Sequence, residues 1–167
     1  TKKLNKENTD MIIKNMSLDI NRMNILISDI SNYTLTQVEI AEEQFEKIDI
    51  NLFLNEMITS LKYKQFVFDL RPSKEKVLIK INKNKFAQVF FNLLDNSFSF
   101  AESGSKILID IKRFKDFCII NFVDQGKGIS YEYKDKIFDR FYTDRAKNIR
   151  LHSGLGLSIS KNIIESF

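Results

Sequence analysis

The chain has 167 residues, and 26 Lys and Arg against 22 Asp and Glu leave a formal charge of +4, so it holds one ordinary domain or a compact domain carrying a long extra element. A single cysteine, Cys118, a single histidine, His152, and no tryptophan exclude an internal disulfide and a zinc–thiolate cluster, and leave little material for a Cys- or His-based catalytic dyad. No apolar run approaches the roughly 18 residues of a membrane span, and the polar start TKKLNKENTD has no signal-peptide core, so the sequence reads as a soluble intracellular piece.

Charge is uneven along the chain. Residues 1–47 carry 6 basic and 8 acidic side chains, whereas residues 48–167 carry 20 and 14. The basic second part suits an anionic ligand, and a solvated surface explains it equally well.

From Met11 to Gln37 the apolar residues keep a heptad step. Ile13, Ile20, Ile27 and Thr34 fill one position and Met16, Met23, Ile30 and Gln37 the other. Steps of three and four make one helical seam that needs a partner helix; the alternative is an amphipathic helix lying on its own domain. After an acidic stretch, QFEKIDI starts a sheet and residues 51–64 have helical spacing. FVFDL (66–70) and KVLIKI (76–81) read as strands on either side of Pro72, the only proline. Residues 84–101 form a strongly apolar helix. KILIDIKRF and DFCIINFVD make a hairpin around Lys115 and Asp116, with Cys118 an inert core residue. A glycine loop (125–130), a short helix (131–138), a basic segment (142–153) and a last helix (154–166) follow. Strands mixed with helices in no strict alternation point to an α+β sandwich.

Four of the five glycines fall in two clusters, Gly126 with Gly128 and Gly154 with Gly156. Glycine belongs where backbone turns sharply or approaches a neighbour closely. No GxxxxGK[ST] is present, and both GxG pairs lack the third glycine of a dinucleotide fingerprint, with Tyr131 and Ile159 in its place. Asn92 and Asn96, four apart, share a helix face. Two such amides could hold Mg²⁺ beside phosphates, or cap and cross-link a core. Asp124, at a strand end, can accept from an exocyclic amine, while Gly126 and Gly128 let a flat ring approach the backbone. Phe138 and Phe141 flank Arg140, an arrangement that simple core packing also produces. Ser153 is placed to cap the last helix, whose bare amides attract phosphate.

The succession NLLDN, DQGKGI, IFDRFY and SGLGLSIS resembles the N, G1, F and G2 boxes of bacterial sensor histidine kinases. Residues 84–167 look like the ATP-binding domain of that family, whose fold is shared with gyrase, HSP90 and MutL. Residues 16–40 resemble the second helix of the dimerisation and histidine-phosphotransfer hairpin. The resemblance implies a two-layer α/β sandwich preceded by a long coiled-coil-like helix, divided into residues 1–45 (dimerisation) and 46–167 (ATP-binding). It implies ATP and Mg²⁺ as ligands, with Asn96 the main metal ligand, Asn92 supporting it, and Asp124 on the adenine amino group. Gly126, Gly128 and Ile129 would shape the purine pocket; Ser99, Phe138, Arg140, Tyr142 and Arg145 would border the nucleotide. Residues 142–153 would form a mobile lid, and Ser153, Gly154, Leu155, Gly156 and Leu157 would lead from it into the helix. Arg140, Arg145, Lys147 and Arg150 would make the lid region basic.

Two positions depart from the family pattern, with Ser99 where a basic residue is common and Thr143 where Arg is common. The H box with its phospho-accepting histidine is absent, and His152 lies in the lid segment. The resemblance therefore implies a piece of a longer kinase, cut at both ends. It would dimerise through the heptad helix and serve a response regulator receiver domain. Any membrane attachment of the parent, expected at the bacterial inner membrane, would lie outside these residues. A nucleotide-binding regulatory module and an anti-sigma-factor serine kinase remain as alternatives; the latter should have residues 11–37 packed into the domain. Scattered lysines give no nucleic-acid surface.

Overall fold

The computed structural model describes residues 45–61, 66–102, 104–143 and 153–167, together with residues 11–13, 16, 17, 20 and 23. The order is β1 (Glu46–Asp49), α1 (Ile50–Ser60), β2 (Val67–Arg71), β3 (Leu78–Ile81), α2 (Lys83–Phe100), β4 (Lys106–Phe114), β5 (Phe117–Val123) and α3 (Gly156–Glu165). Two 3₁₀ turns, Tyr131–Tyr133 and Lys136–Phe138, lie between β5 and α3.

β1 and β3 pair antiparallel, Glu46 opposite Ile81. β4 is the centre of a second sheet, parallel to β2 (Val67 opposite Lys106) and antiparallel to β5 (Phe114 opposite Phe117). The parallel pair needs a long crossover, which holds β3 and α2. In β4 the alternation is clean: Ile107, Ile109 and Ile111 are buried, while Leu108 and Asp110 face the other side. Those isoleucines meet Ile50, Leu54 and Met57 of α1 and Phe86, Phe90 and Leu94 of α2 in one core. The outer face of the sheet is made tolerable to water by ion pairs. Asp69 joins β2 to β4 through Lys106 Nζ at 2.8 Å and holds Arg71 at 3.0 Å. Lys112 at 2.9 Å and Asn121 at 3.3 Å hold Asp110. These donors, Lys106 before Arg71 and Lys112 before Asn121, keep both carboxyls below the usual range.

α2 has a second buried side. Val89, with Leu93, packs on Leu155, Ile159 and Ile163. α2 is thus gripped between the sheet and α3. At the far end of α3, Phe167 stands edge-on to Phe45 (centroids 6.1 Å) and stacks near Phe86 (6.4 Å).

The expected strands, hairpin and central helix are present, with ends shifted by a few residues. Three expectations are corrected. The helix expected over 131–138 is two 3₁₀ turns closed by Lys134 N–H to Tyr131 O and Asp139 N–H to Lys136 O. A segment this short, with no capping side chain, cannot offset the cost of helix nucleation. The last helix begins at Gly156, not 154, because Gly154 has φ +74°, outside the helical region. Ser153 is accordingly not its N-cap; Leu155 holds that position, and Ser153 Oγ accepts from Leu155 N–H at 3.2 Å. Cys118 is half-buried against the core, and burial pushes its thiol up. Of the heptad seam, Ile13, Met16, Ile20 and Met23 are helical and exposed; Ile27, Ile30, Thr34 and Gln37 lie outside the described residues.

Ile109→Ala is expected to lower stability by about 2–5 kcal/mol, whereas Ile119→Ala on the outer face should cost under about 1 kcal/mol. Urea unfolding, compared at constant slope, checks both values.

Candidate functional site

A cavity of about 890 Å³ opens between α2, the loop after β5, the 3₁₀ turns and the start of α3, a size that suits a small organic ligand. α2 presents Asn92 and Asn96 to it because its other two sides are committed. Phe86, Phe90, Leu94 and Ser97 turn to the sheet, and Val89 and Leu93 turn to α3.

The Asn92 amide is oriented by its neighbours. Its Nδ2 donates to Gly156 O at 3.0 Å and to Ser160 Oγ at 3.2 Å. Gly156 O can only accept, and Ser160 Oγ spends its own proton on that same carbonyl at 2.8 Å. The nitrogen must therefore face α3. Oδ1 accepts no hydrogen bond among the described residues, which leaves a neutral oxygen on the cavity wall. Among the described residues no group of three or more His, Cys, Asp or Glu side chains could hold a metal. A hard cation here would take amide oxygens, an anionic ligand's oxygens and water, a donor set that fits Mg²⁺.

At the other end of the cavity, Asp124 closes β5. Its Oδ1 accepts from Gly126 N–H at 2.8 Å, and its Oδ2 lies 3.2 Å from Ser97 Oγ. The Ser97 hydroxyl has one proton and also lies 3.1 Å from Leu93 O, so these two acceptors compete for it. A Cβ on Gly126 would meet Phe100 O at 3.2 Å and Asp124 Oδ1 at 3.0 Å; glycine is what lets this loop lie against the end of α2.

The third wall is a backbone contact. Phe141 N–H donates to Gly154 O at 3.1 Å, with Phe141 at φ +64°. A Cβ on Gly154 would stand 2.7 Å from both Phe141 C and Tyr142 O. Sterics and φ both demand glycine there.

Of the residues expected to bind the nucleotide, the structure gathers twelve on this one wall: Asn92, Asn96, Asp124, Gly126, Gly128, Ile129, Phe138, Tyr142, Ser153, Gly154, Gly156 and Leu157. Three of the described ones are not brought there. The Ser99 hydroxyl donates back to Asp95 O at 2.7 Å on an exposed part of α2. Arg140 is exposed and off the wall. Leu155 is 3% exposed and anchors α3 in the core. Arg145 lies outside the described residues, as do Lys147, Arg150 and His152. Sequence reasoning missed Ser97, Phe100, Lys127, Ser130 and Tyr133, all of which line the cavity. Ser97 lies about 100° further round the helix than Asn96, so the Asn92–Asn96 spacing did not point to it. Nothing in the sequence aims the others.

Residues 81–167 match the family of histidine kinase-, DNA gyrase B-, and HSP90-like ATPases, and the chain belongs to that family. Within it, the sequence is similar to part of bacterial sensor histidine kinases. Sensor protein ChvG of Agrobacterium fabrum is 34% identical over 161 residues, covering 89% of this chain and 27% of that protein. The chain spans less than half the length of the curated relatives it matches. Two solved structures share the fold. Acinetobacter baumannii histidine kinase AdeS has TM-score 0.66 and 19% identity, over 99% of this chain and 76% of that one. Full-length ShkA in complex with AMPPNP has TM-score 0.65 and 16% identity, over 99% and 35%.

The two second-cluster glycines should separate on substitution. Gly154→Ala is expected to cost about 1–3 kcal/mol. Gly156→Ala, whose added Cβ finds Asn92 Cγ at an ordinary 3.6 Å, should be neutral or slightly stabilising at a helix start. Thermal unfolding of the pair checks this, and equal losses would refute the clamp.

Proposed function

We propose that this chain is the nucleotide-handling part of a kinase. The kinase moves the γ-phosphoryl of ATP onto a histidine nitrogen, and from there onto an aspartate of a response regulator receiver domain. The observation that carries the proposal is the fixed Asn92 amide, with its nitrogen held by α3 and its oxygen left for a cation. Phosphoryl transfer asks for alignment and charge neutralisation more than for covalent chemistry. Asn96 and Asn92 would hold Mg²⁺, which would supply positive charge to offset the charge of the phosphates. Asp124, steadied by the Gly126 amide, would accept from the adenine amino group. Gly154 would seat the phosphates at the start of α3, where unpaired N–H groups favour anions. The ShkA neighbour, which shares the fold, was solved in complex with AMPPNP, which supports a nucleotide as the ligand.

Residues 1–45 would form a dimer contact and residues 46–167 the nucleotide domain. The helical Ile13, Met16, Ile20 and Met23, all more than half exposed, support the first part by offering an apolar stripe to a second copy. Their exposure also disfavours the serine-kinase alternative, which needs that helix packed into the domain. No helix among the described residues is long and apolar enough to cross a membrane. Attachment of the parent kinase to the bacterial inner membrane through other segments is part of the same proposal.

Equilibrium binding should show Mg²⁺-dependent ATP affinity. Asn96→Ala is expected to remove the Mg²⁺ dependence, and Asp124→Ala to weaken ATP about tenfold and erase its preference over GTP. Incubation of the chain with γ-labelled ATP should leave no acid-labile label on it, because the only histidine is His152. Retained label would overturn that assignment.

A further inference from the structure

Serine inside a helix ordinarily turns its hydroxyl back on the carbonyl four residues earlier. Ser99 does so onto Asp95 O at 2.7 Å and Ser160 onto Gly156 O at 2.8 Å. Ser97 stands differently. Its oxygen is 3.1 Å from its own carbonyl, Leu93 O, and 3.2 Å from Asp124 Oδ2, so distance does not choose between the two acceptors. Chemistry does. Leu93 O lies inside α2, where the helical ladder already gives it an N–H. An ionised carboxylate only accepts, and two oxygens at 3.2 Å with no proton between them repel. The charge-assisted bond is also the stronger one. Ser97 is 1% exposed, so its hydroxyl finds its partner within the protein.

We propose, on the strength of the nucleotide reading above, that Ser97 is the positioning residue for the purine end of this site. Its hydroxyl donates to Asp124 Oδ2 while Gly126 N–H holds Oδ1 at 2.8 Å. One donor on each oxygen fixes the plane of the carboxylate and leaves each oxygen a second acceptor site. The loop beneath is tied as well, because Gln125 Oε1 accepts from Lys106 N–H at the start of β4 at 2.7 Å. Both protein protons are spent on the carboxylate, so the side chain offers acceptors alone. That matches the 6-amino group of adenine and repels a 6-oxo group. A carboxylate without the serine tether can turn to the ring N–H of a 6-oxo purine, so the tether sets selectivity without touching the ligand.

The test is equilibrium binding of ATP and of ITP, which has oxygen in place of the 6-amino group. It uses the wild-type chain, Ser97→Ala, Asp124→Ala and the double variant, with thermal unfolding of each. Ser97→Ala introduces the best helix former and should stay folded. It is expected to weaken ATP about fivefold with little change in ITP, and to have no effect in the Asp124→Ala background. An equal loss for ATP and ITP, or a loss that persists without the Asp124 carboxylate, assigns Ser97 to packing and overturns the proposal. Unchanged ATP affinity in Ser97→Ala overturns it too, as does its unfolding, since a positioning role leaves the fold intact. A wild-type chain that binds no ATP, or an Asp124→Ala chain that keeps the full preference for ATP, sinks the nucleotide reading itself. A preference lost in Asp124→Ala but kept in Ser97→Ala sinks only the role of the serine.

Discussion

Helix α2 is held from two directions, and everything about the cavity depends on that grip. One side of the helix buries Phe86, Phe90 and Leu94 in the main core, and another buries Val89 against Ile159 and Ile163 of α3. Burial of several large side chains, each contributing about 1.5–3 kcal/mol, leaves the helix no freedom to rotate about its axis. The remaining arc holds Asn92 and Asn96. Their position is set by hydrophobic residues most of which stay off the cavity wall, as a preorganised site requires.

The Asn92 link extends this grip. One amide nitrogen spans 64 residues of sequence to reach Gly156 O, so the start of α3 moves only with α2. The amide that fixes the geometry also leaves its oxygen on the cavity wall. The structural account of that asparagine describes its nitrogen, and the oxygen is the other end of the same amide.

Much of the architecture was legible from periodicity. The period-two pattern of KILIDI and the dense apolar helix over 84–101 appear in the structure almost as read. The four boxes were legible as an ordered set, and the structure brings twelve of their expected residues to one cavity. Failures came where local sequence is silent about tertiary demand. SGLGLSIS looks like a capped helix start, but close approach of Gly154 to Phe141 forces a left-handed residue and delays the helix by two positions. Leu155 looked like a ligand contact by its neighbours, yet its side chain is drawn into the core.

The hydrogen bond from Phe141 N–H to Gly154 O has a topological effect apart from its role in shaping a wall. It staples together the two chain points that bracket residues 142–153, so the stretch between them is a closed loop whose anchors belong to the rigid body. Lengthening such a loop adds only a logarithmic entropy cost, about 0.6 kcal/mol per doubling. A connection between two such fixed anchors can therefore change in length at little cost to the body that holds them.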